Sequence, residues 1–349
     1  MSKNKFLRKD LQAFEPYRSE KANYSIKLDA NESPYALADE VRQKAINWLS
    51  IEETLNIYPD SDSEELRGAL ALYYEIIPEN IICGVGSDQL IDYITKAFLS
   101  PGDAVVIQPP TFAVYSLAAS LNHGKVVELP ADYSYNLDSC DIINTVANSK
   151  AKLLFLCTPN NPTGSSIPPE TLVRIIENVN CPVVVDEAYA EFSGDSMLPF
   201  LNKYENMILL KTFSKAFGLA GARVGYAIAQ PPLIEALETV KAPYNLPTLS
   251  QKLAVWALQS SGEYKSRVRA ISIARDELFQ TLSQLTNLLV TQSDANFLFI
   301  ESDTNLYKLL LANGIISRNL KPGLKKFAIR LSVTLAETNK KIVEILSRA

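Results

Sequence analysis

Between residues 36 and 245, short runs of consecutive apolar residues alternate with segments of helical apolar periodicity. A strand with one face in water alternates apolar and polar residues, whereas a continuously apolar strand is buried on both faces. The predicted strands are 80–83, 104–107, 125–129, 152–157, 182–185, 207–210 and 224–228. The pattern predicts an α/β fold with a mainly parallel, mixed sheet and helices on both faces. Ligands of such sheets bind at the carboxyl ends of the strands.

Three regions are predicted along the 349 residues, a length that suits two domains better than one core. Residues 1–35 lack a clear period and are interpreted as an irregular N-terminal arm. Residues 36–245 form the large domain that carries the sheet. In residues 246–349 the helices lengthen and mix with the short strands 297–300 and 327–331, which predicts a smaller α+β C-terminal domain.

Composition excludes several classes of function. The formal net charge is −5 and no long run of Lys and Arg occurs, which argues against nucleic acid or an anionic membrane as the partner. Apolar runs are too short for a membrane span, and the N-terminus lacks the apolar core of a signal peptide. The four cysteines are scattered, as in reduced proteins, and His123 is the only histidine. We expect a cytoplasmic enzyme with small-molecule substrates and no metal.

The segment 211–226 carries the strongest chemical signal. Lys215 lies among the hydroxyl residues Thr212 and Ser214, with Arg223 and several glycines further on. A lysine amine forms a Schiff base with an aldehyde when burial or a nearby cation destabilises its ammonium form. Hydroxyls, a guanidinium and exposed backbone amides bind phosphate. The segment predicts a site for pyridoxal 5′-phosphate (PLP), a phosphorylated aldehyde; the alternative is an ordinary loop with a solvated lysine.

A second strand end combines glycines with polar residues. Gly86, Ser87 and Asp88 lie between a predicted strand and a predicted helix. Such turns bind phosphate through backbone amides at the helix N-terminus. Gln89 stands where a dinucleotide motif would have its third glycine, so we expect a single phosphate group here.

Three further strand ends carry residues suited to a planar ring. Phe112 could stack on a heterocycle or pack in the core, and Asn161 lies in a turn that prolines and a glycine make rigid. Asp186 ends a buried apolar run, where an ionised carboxylate is costly without a cation. A protonated pyridine nitrogen supplies one, and Tyr189 could reach the phenolic oxygen of the same ring. A magnesium ion is the alternative, but no Walker-type phosphate loop accompanies Asp186.

In this order, the motifs resemble the fold-type I PLP-dependent aminotransferases, and the resemblance covers essentially the whole chain. The motifs are Gly-x-Gly-Ser-Asp at 84–88, Asn-Asn-Pro-Thr-Gly at 160–164, Asp-Glu-Ala-Tyr at 186–189 and Ser-Lys-Ala-Phe-Gly-Leu-Ala-Gly-x-Arg at 214–223. Within that family the chain is similar to the histidinol-phosphate branch. The segments typical of the branch are Leu-Asp-Ala-Asn-Glu at 28–32, Asn-Ile-Tyr-Pro at 56–59, Ile-Ser-Arg at 316–318 and Ile-Arg at 329–330.

The resemblance implies a role for each cofactor residue. Lys215 would form the Schiff base with PLP and then act as general base, and Asp186 would pair with the pyridine nitrogen. Asn161 and Tyr189 would bond the ring oxygen, and Phe112, where relatives often carry tyrosine, would stack on the ring. The implied phosphate ligands are Gly86, Ser87, Asp88, Thr212, Ser214, Arg223 and, from the second subunit of a homodimer, Tyr58.

The resemblance also implies substrate contacts. Arg330 would bind the α-carboxylate of the amino-acid substrate, and Tyr17 and Arg318 would bind a substrate phosphate. Asn31 and Glu32 would lie near the substrate imidazole. For the two arginines the alternative is a surface salt bridge, and for the residues of the arm it is no substrate contact.

The implied reaction is a ping-pong transamination between histidinol phosphate and 2-oxoglutarate. Its products are imidazole acetol phosphate and glutamate, and it belongs to histidine biosynthesis. Three alternatives stay open: an aromatic amino-acid aminotransferase, a PLP-dependent decarboxylase of a phosphorylated amino acid, and an aminotransferase-like sensor domain of a transcription regulator. The last normally carries a fused basic DNA-binding domain, for which the short arm is not expected to leave room.

Overall fold

The computed structural model describes residues 6–8, 11–12, 22–51, 55–130 and 137–349. The strands in these ranges are β1 Ile26–Leu28, β2 Ile81–Val85, β3 Ala104–Ile107, β4 Lys125–Glu128, β5 Leu153–Cys157, β6 Val183–Asp186, β7 Met207–Thr212, β8 Val224–Ala229, β9 Leu288–Thr291, β10 Phe297–Ser302, β11 Ile315–Leu320 and β12 Phe327–Ser332. The α-helices are α1 Asp39–Leu49, α2 Glu64–Tyr74, α3 Gly86–Phe98, α4 Val114–Leu121, α5 Ser139–Ser149, α6 Pro169–Glu177, α7 Ala190–Ser193, α8 Pro231–Glu238, α9 Thr248–Gln259, α10 Ser261–Ser283, α11 Leu306–Ala312 and α12 Ala336–Leu346.

Seven strands form the large sheet in the order β2-β8-β7-β6-β5-β3-β4. The strand β8 runs antiparallel to both of its neighbours, and the other adjacent pairs are parallel. Every residue of β3, β5, β6, β7 and β8 is buried, as expected for continuously apolar strands. The prediction of a mainly parallel, mixed sheet is therefore confirmed.

Helices cover both faces of the large sheet and bury alternate residues of each strand. On one face, Val184 of β6 and Ile208 of β7 pack in a core that includes residues of α3, α4 and α8. On the other face, Val185 and Leu209 pack in a core that includes residues of α2, α5, α6 and α9. This alternation follows from the period of two in a strand. Successive residues of each strand therefore project to opposite faces of the sheet.

A second sheet has the strand order β1-β11-β12-β10-β9 and packs with α10 and α11, on which α12 packs in turn. The pairs β9–β10, β10–β12 and β11–β12 are antiparallel, and β1 joins β11 in parallel. Mixed helices and antiparallel strands agree with the predicted α+β character of the C-terminal region. The boundary at 246 stays a prediction, because α9 packs on α1 and α2 of the preceding region.

The interpretation of residues 1–35 as irregular is wrong for residues 26–28. These residues form β1, in which Ile26 pairs with Ile315 and Leu28 with Ser317. Three residues are too few to display a period, and the partner strand lies near the other end of the chain. The structure thus ties the N-terminal segment to the small sheet. Across the described residues, no helix combines the length and apolarity needed to cross a membrane.

Candidate active site

Lys215 lies in the loop that follows β7, at the carboxyl edge of the large sheet. Its Nζ donates a hydrogen bond of 2.8 Å to the carbonyl oxygen of Ala30 and lies 5.7 Å from the ring centroid of Tyr189. Burial and, to a smaller extent, the positive charge of Arg330 together lower the pKa of Lys215 to about 7. The side chain thus has the property that the sequence analysis required of a reactive amine, a destabilised ammonium form.

Asp186 ends the neighbouring strand β6 and is 2% exposed. Its Oδ2 accepts a hydrogen bond of 2.6 Å from the hydroxyl of Tyr115, and its Oδ1 accepts one of 3.0 Å from the Ala188 amide. Burial raises the pKa of Asp186 to about 6. A cation beside this carboxylate would lower its pKa again and so stabilise the ionised form.

Tyr115 is a site residue that the sequence analysis did not predict. It lies one helical turn after Phe112, and the ring centroids of the two residues are 5.6 Å apart in an edge-to-face arrangement. This spacing of two aromatic residues directly after a strand was the available signal. Phe112 itself is partly buried and packs beside α4.

Tyr189 follows Asp186 by three residues and is 4% exposed. Its hydroxyl accepts a hydrogen bond of 2.9 Å from Nδ2 of Asn31, and burial raises the pKa of Tyr189 to about 12. Asn31 has a positive φ of 53°, and its backbone amide donates to Oγ of Ser332 at 2.9 Å. The structure therefore brings Asn31 into the site, anchored on β12, with its amide directed to Tyr189.

Arg330 of β12 connects the small sheet to the loop after β5. One guanidinium nitrogen donates to Oδ1 of Asn161, and another donates to the carbonyl oxygen of Asp29 at 2.6 Å. The guanidinium also lies 5.4 Å from the ring centroid of Phe297. Arg318 of β11 is the residue directly opposite Arg330 in the antiparallel ladder. Both predicted substrate arginines therefore lie at one place on the small sheet.

The segment 86–88 begins α3 and lies against Arg223. The Gly86 amide donates to the Arg223 carbonyl oxygen at 3.0 Å, and the Arg223 guanidinium lies 3.2 Å from an oxygen of Asp88. Gly86 has a φ of 73°, and a Cβ there would lie 2.6 Å from Nη2 of Arg223. A Cβ on Gly225 would lie 2.4 Å from the Ser87 nitrogen. Only glycine fits at these two positions.

The hydroxyl residues after β7 complete this group of donors. Oγ1 of Thr212 accepts from the Ser214 amide at 3.1 Å and donates to the Val224 carbonyl oxygen at 3.3 Å. Both residues are buried. Hydroxyls, a guanidinium and amides at a helix N-terminus are the donors that a phosphate monoester requires. Together with the amine of Lys215 and the buried carboxylate of Asp186, they fit a phosphorylated pyridine aldehyde.

Three further predicted residues are Glu32, Tyr58 and Tyr17. The negative charge of Glu32 opposes the lowering of the Lys215 pKa, so Glu32 lies near the amine. Glu32 forms an ion pair of 2.5 Å with Lys27, and both residues line a cavity of about 340 Å³ that Gly218 also borders. Tyr58 is 77% exposed and stacks on Tyr244, with ring centroids 4.7 Å apart. Tyr17 lies outside the described residues, so its predicted phosphate contact stays a prediction.

Comparison with known proteins places the chain in a family. The family described as aminotransferase class I and II matches residues 24–347. The chain belongs to the class I and II aminotransferases. This membership confirms the predicted enzyme class and, with it, the predicted cofactor PLP.

Individual relatives of this aminotransferase agree with that family. The chain is 40% identical over 346 residues to the histidinol-phosphate aminotransferase of Caldanaerobacter subterraneus subsp. tengcongensis, covering 97% of each chain. It is 40% identical over 341 residues to the enzyme of the same name from Thermoanaerobacter pseudethanolicus, covering 95% of each. The crystal structure of histidinol-phosphate aminotransferase from Sinorhizobium meliloti in complex with PLP has a TM-score of 0.87 at 24% identity, covering 100% of this chain and 97% of the other. The predicted fold-type I architecture is confirmed.

Proposed function

We propose that this aminotransferase transfers an amino group from histidinol phosphate to 2-oxoglutarate, giving imidazole acetol phosphate and glutamate. The relatives that are 40% identical over nearly the full length are named for the first of these substrates. The matched length spans both sheets, which carry the residues that would bind substrate as well as those that would bind PLP. The reaction is a step of histidine biosynthesis, and we expect it in the cytoplasm.

The observation that carries the proposal is the pairing of Arg318 with Arg330 on adjacent strands. Side chains of directly opposite residues in an antiparallel ladder share one face, with Cβ atoms roughly 4.5–5.5 Å apart. Two like charges so placed repel each other, and an anionic group bound between or beside them would reduce that repulsion. Glutamate brings two carboxylates, and histidinol phosphate brings a phosphate. We assign the α-carboxylate of glutamate to Arg330 and the phosphate of the other substrate to Arg318.

When bound, PLP supplies an aldehyde that accepts the amino group and a protonated ring that stabilises negative charge at the substrate Cα. The protein contributes the proton transfers and the placement. Lys215 removes the proton from the substrate Cα, a role for which its lowered pKa of about 7 is suited. Asp186 keeps the pyridine nitrogen protonated, and Asn161 and Tyr189 bond the ring oxygen.

The remaining cofactor residues would bind the phosphate and fix the orientation of the ring. Phe112 would pack against one face of the ring. The phosphate ligands would be Gly86, Ser87, Asp88, Thr212, Ser214 and Arg223. Asn31 and Glu32 would border the imidazole side of the substrate, and Glu32 also lines the 340 Å³ cavity. Tyr17 would add a contact to the substrate phosphate.

We also propose that the active unit is a homodimer. The 77% exposure of Tyr58 in one subunit supports this part of the proposal, since a stacked pair of exposed tyrosines is a surface suited to a partner. In the dimer, Tyr58 would extend to the PLP phosphate of the other subunit. A two-fold dimer would then contain two equivalent shared sites.

A substrate panel tests the proposed function. Purified enzyme is reconstituted with PLP and supplied with 2-oxoglutarate and, separately, with histidinol phosphate, phenylalanine, tyrosine or a phosphorylated amino acid. We expect the highest kcat/KM for histidinol phosphate, with one glutamate formed per imidazole acetol phosphate. Higher kcat/KM for phenylalanine or tyrosine would make the protein an aromatic aminotransferase. Release of carbon dioxide without glutamate formation would make it a decarboxylase.

A further inference from the structure

Tyr115 is a fully buried residue at the start of α4, and its ring is held on two sides. It stacks on Phe155 of β5 with centroids 4.7 Å apart and an interplanar angle of 11°. The edge contact with Phe112, at 5.6 Å, fixes a second side. These contacts hold the ring in place. Its hydroxyl donates to Oδ2 of Asp186 at 2.6 Å and also lies within hydrogen-bonding distance of the Cys157 thiol.

This hydrogen bond leaves Asp186 with unused acceptor capacity. An ionised carboxylate offers about four lone-pair sites, and Tyr115 and the Ala188 amide occupy two of them. The remaining lone pairs can accept a hydrogen bond from a cationic partner. A neutral carboxyl group would lose this arrangement, because one of its oxygens would then be a donor.

We infer that Tyr115 is a positioning residue whose hydroxyl keeps the Asp186 carboxylate ionised and in one orientation for the pyridine nitrogen of the cofactor. The inference rests on the proposed pairing of Asp186 with that nitrogen. In addition, Asp186 performs this pairing only while the Tyr115 hydroxyl donates a hydrogen bond to its Oδ2. The donor comes from α4, a different element from the strand that carries Asp186.

In the described part of the chain, the other charged and titratable neighbours of Asp186 do not stabilise its ionised form, so this role falls to Tyr115. Burial raises the pKa of Asp186 most, and the negative charges of Asp88 at the start of α3 and of Glu187 raise it further. The Cys157 thiol at the end of β5 and the Tyr189 hydroxyl both have raised pKa values, so they are neutral near pH 7. The Tyr115 hydroxyl and the Ala188 amide favour the ionised carboxylate, and the hydroxyl contributes more.

The test replaces Tyr115 by phenylalanine, which keeps the ring contacts and removes only the hydroxyl. The matched control is Tyr204→Phe, because the Tyr204 hydroxyl also donates to a carboxylate, that of Glu177, at 2.7 Å near the opposite edge of the sheet. The probe is pyridoxamine 5′-phosphate, which has the same ring and phosphate but no aldehyde for Lys215 to attack. Its dissociation constant for the apoenzyme is measured by fluorescence quenching between pH 5 and 9.

For Tyr115→Phe we expect the dissociation constant at pH 7.5 to rise about tenfold or more, the usual scale of a lost hydrogen bond to a charged group. The loss of affinity on acidification should also begin at a higher pH than in wild type, because a carboxylate without its donor protonates more easily. Tyr204→Phe should match wild type in both measurements. An affinity and a pH profile of Tyr115→Phe that equal those of Tyr204→Phe would overturn the inference.

An Asp186→Asn background separates this inference from the proposed function. If Asp186 pairs with the ring nitrogen, Asp186→Asn weakens the probe, and adding Tyr115→Phe to it changes the dissociation constant little, because the two act as one unit. If Asp186→Asn binds as wild type does, the proposed role of Asp186 is wrong. If Asp186→Asn weakens binding while Tyr115→Phe alone does not, Asp186 keeps its role and the inference about Tyr115 fails.

Discussion

Lys211 and Glu187 form an ion pair of 3.0 Å in which both side chains are almost completely buried. Each residue adjoins a site residue, since Glu187 follows Asp186 and Lys211 precedes Thr212. Because neighbouring strand residues point to opposite faces, the pair lies on the reverse side of the sheet from those site residues. Glu187 also accepts hydrogen bonds of 2.6 Å from Ser196 and Met197. The pair thus links the carboxyl ends of β6 and β7 on the face of the sheet opposite to Asp186 and Thr212.

We expect Lys211→Met to lower the free energy of unfolding by about 3–5 kcal/mol, because it leaves buried carboxylates without their cation. Glu191, whose carboxylate lies 3.3 Å from Lys211, would lose the same partner. The control is Lys203→Met, which removes an exposed ion pair with Glu177 at 3.1 Å. Urea unfolding followed by circular dichroism measures both variants. Equal stability of the two variants would mean that the buried pair contributes little to the fold.

The lowered pKa of Lys215 predicts how PLP attachment depends on pH. The neutral amine adds to the aldehyde, so the rate should rise as the pH increases through about 7 and level off above it. Mixing apoenzyme with PLP in a stopped-flow spectrometer from pH 5.5 to 9 measures this rate. A rate that still rises steeply at pH 9 would indicate an ordinary lysine.

Borohydride reduction provides a second check on Lys215. We expect the reduced enzyme to carry the cofactor on the peptide that contains Lys215, as mass spectrometry of a digest would reveal. Lys215→Ala should bind PLP without covalent attachment and lose nearly all turnover, because the proton-transferring base is missing. Modification of a different lysine in the wild-type enzyme would contradict the assignment.

The facing arginines predict opposite effects on the two substrates. Arg318→Leu should lower kcat/KM for histidinol phosphate by about ten- to a hundredfold, the scale of a lost charge-assisted hydrogen bond, and affect glutamate less. Arg330→Leu should have the reverse preference, because its position beside Asn161 and Asp29 suits the α-carboxylate. Arg174→Leu, an exposed arginine of α6, is the control. Parallel losses for both substrates in both variants would remove the distinction between the two arginines.

The proposed dimer predicts complementation between two inactive variants. Lys215→Ala and Tyr58→Ala, unfolded together and refolded, should form mixed dimers in which one site has both native residues. Random pairing makes half of the dimers mixed with one of two sites intact, so about a quarter of wild-type activity should return. Each variant refolded alone serves as the control. Mixed dimers without recovered activity would mean that Tyr58 does not act across subunits.

The sequence allowed the large sheet to be predicted because burial on both faces requires continuously apolar strands, and strand ends such as Asp186 then stand out. Contacts between distant parts of the chain could not be predicted in this way. The hydrogen bond from Asn31 to Tyr189 joins residues 158 positions apart, and its partners are set by packing and not by any local pattern. Tyr115 was missed for the same reason, since a buried tyrosine on an amphipathic helix resembles any core residue until its hydroxyl is located.

The parallel pairing of β1 with β11 has a consequence for the order in which the site is assembled during synthesis. The strand β1 is synthesised before the large sheet, but its ladder partner β11 is synthesised after it. Ala30, which accepts the hydrogen bond of Lys215, and Asp29, which accepts one from Arg330, directly follow β1. The nascent chain can therefore form its large sheet well before the surroundings of Lys215 exist. The reactive amine acquires its final environment only when β1 pairs with β11.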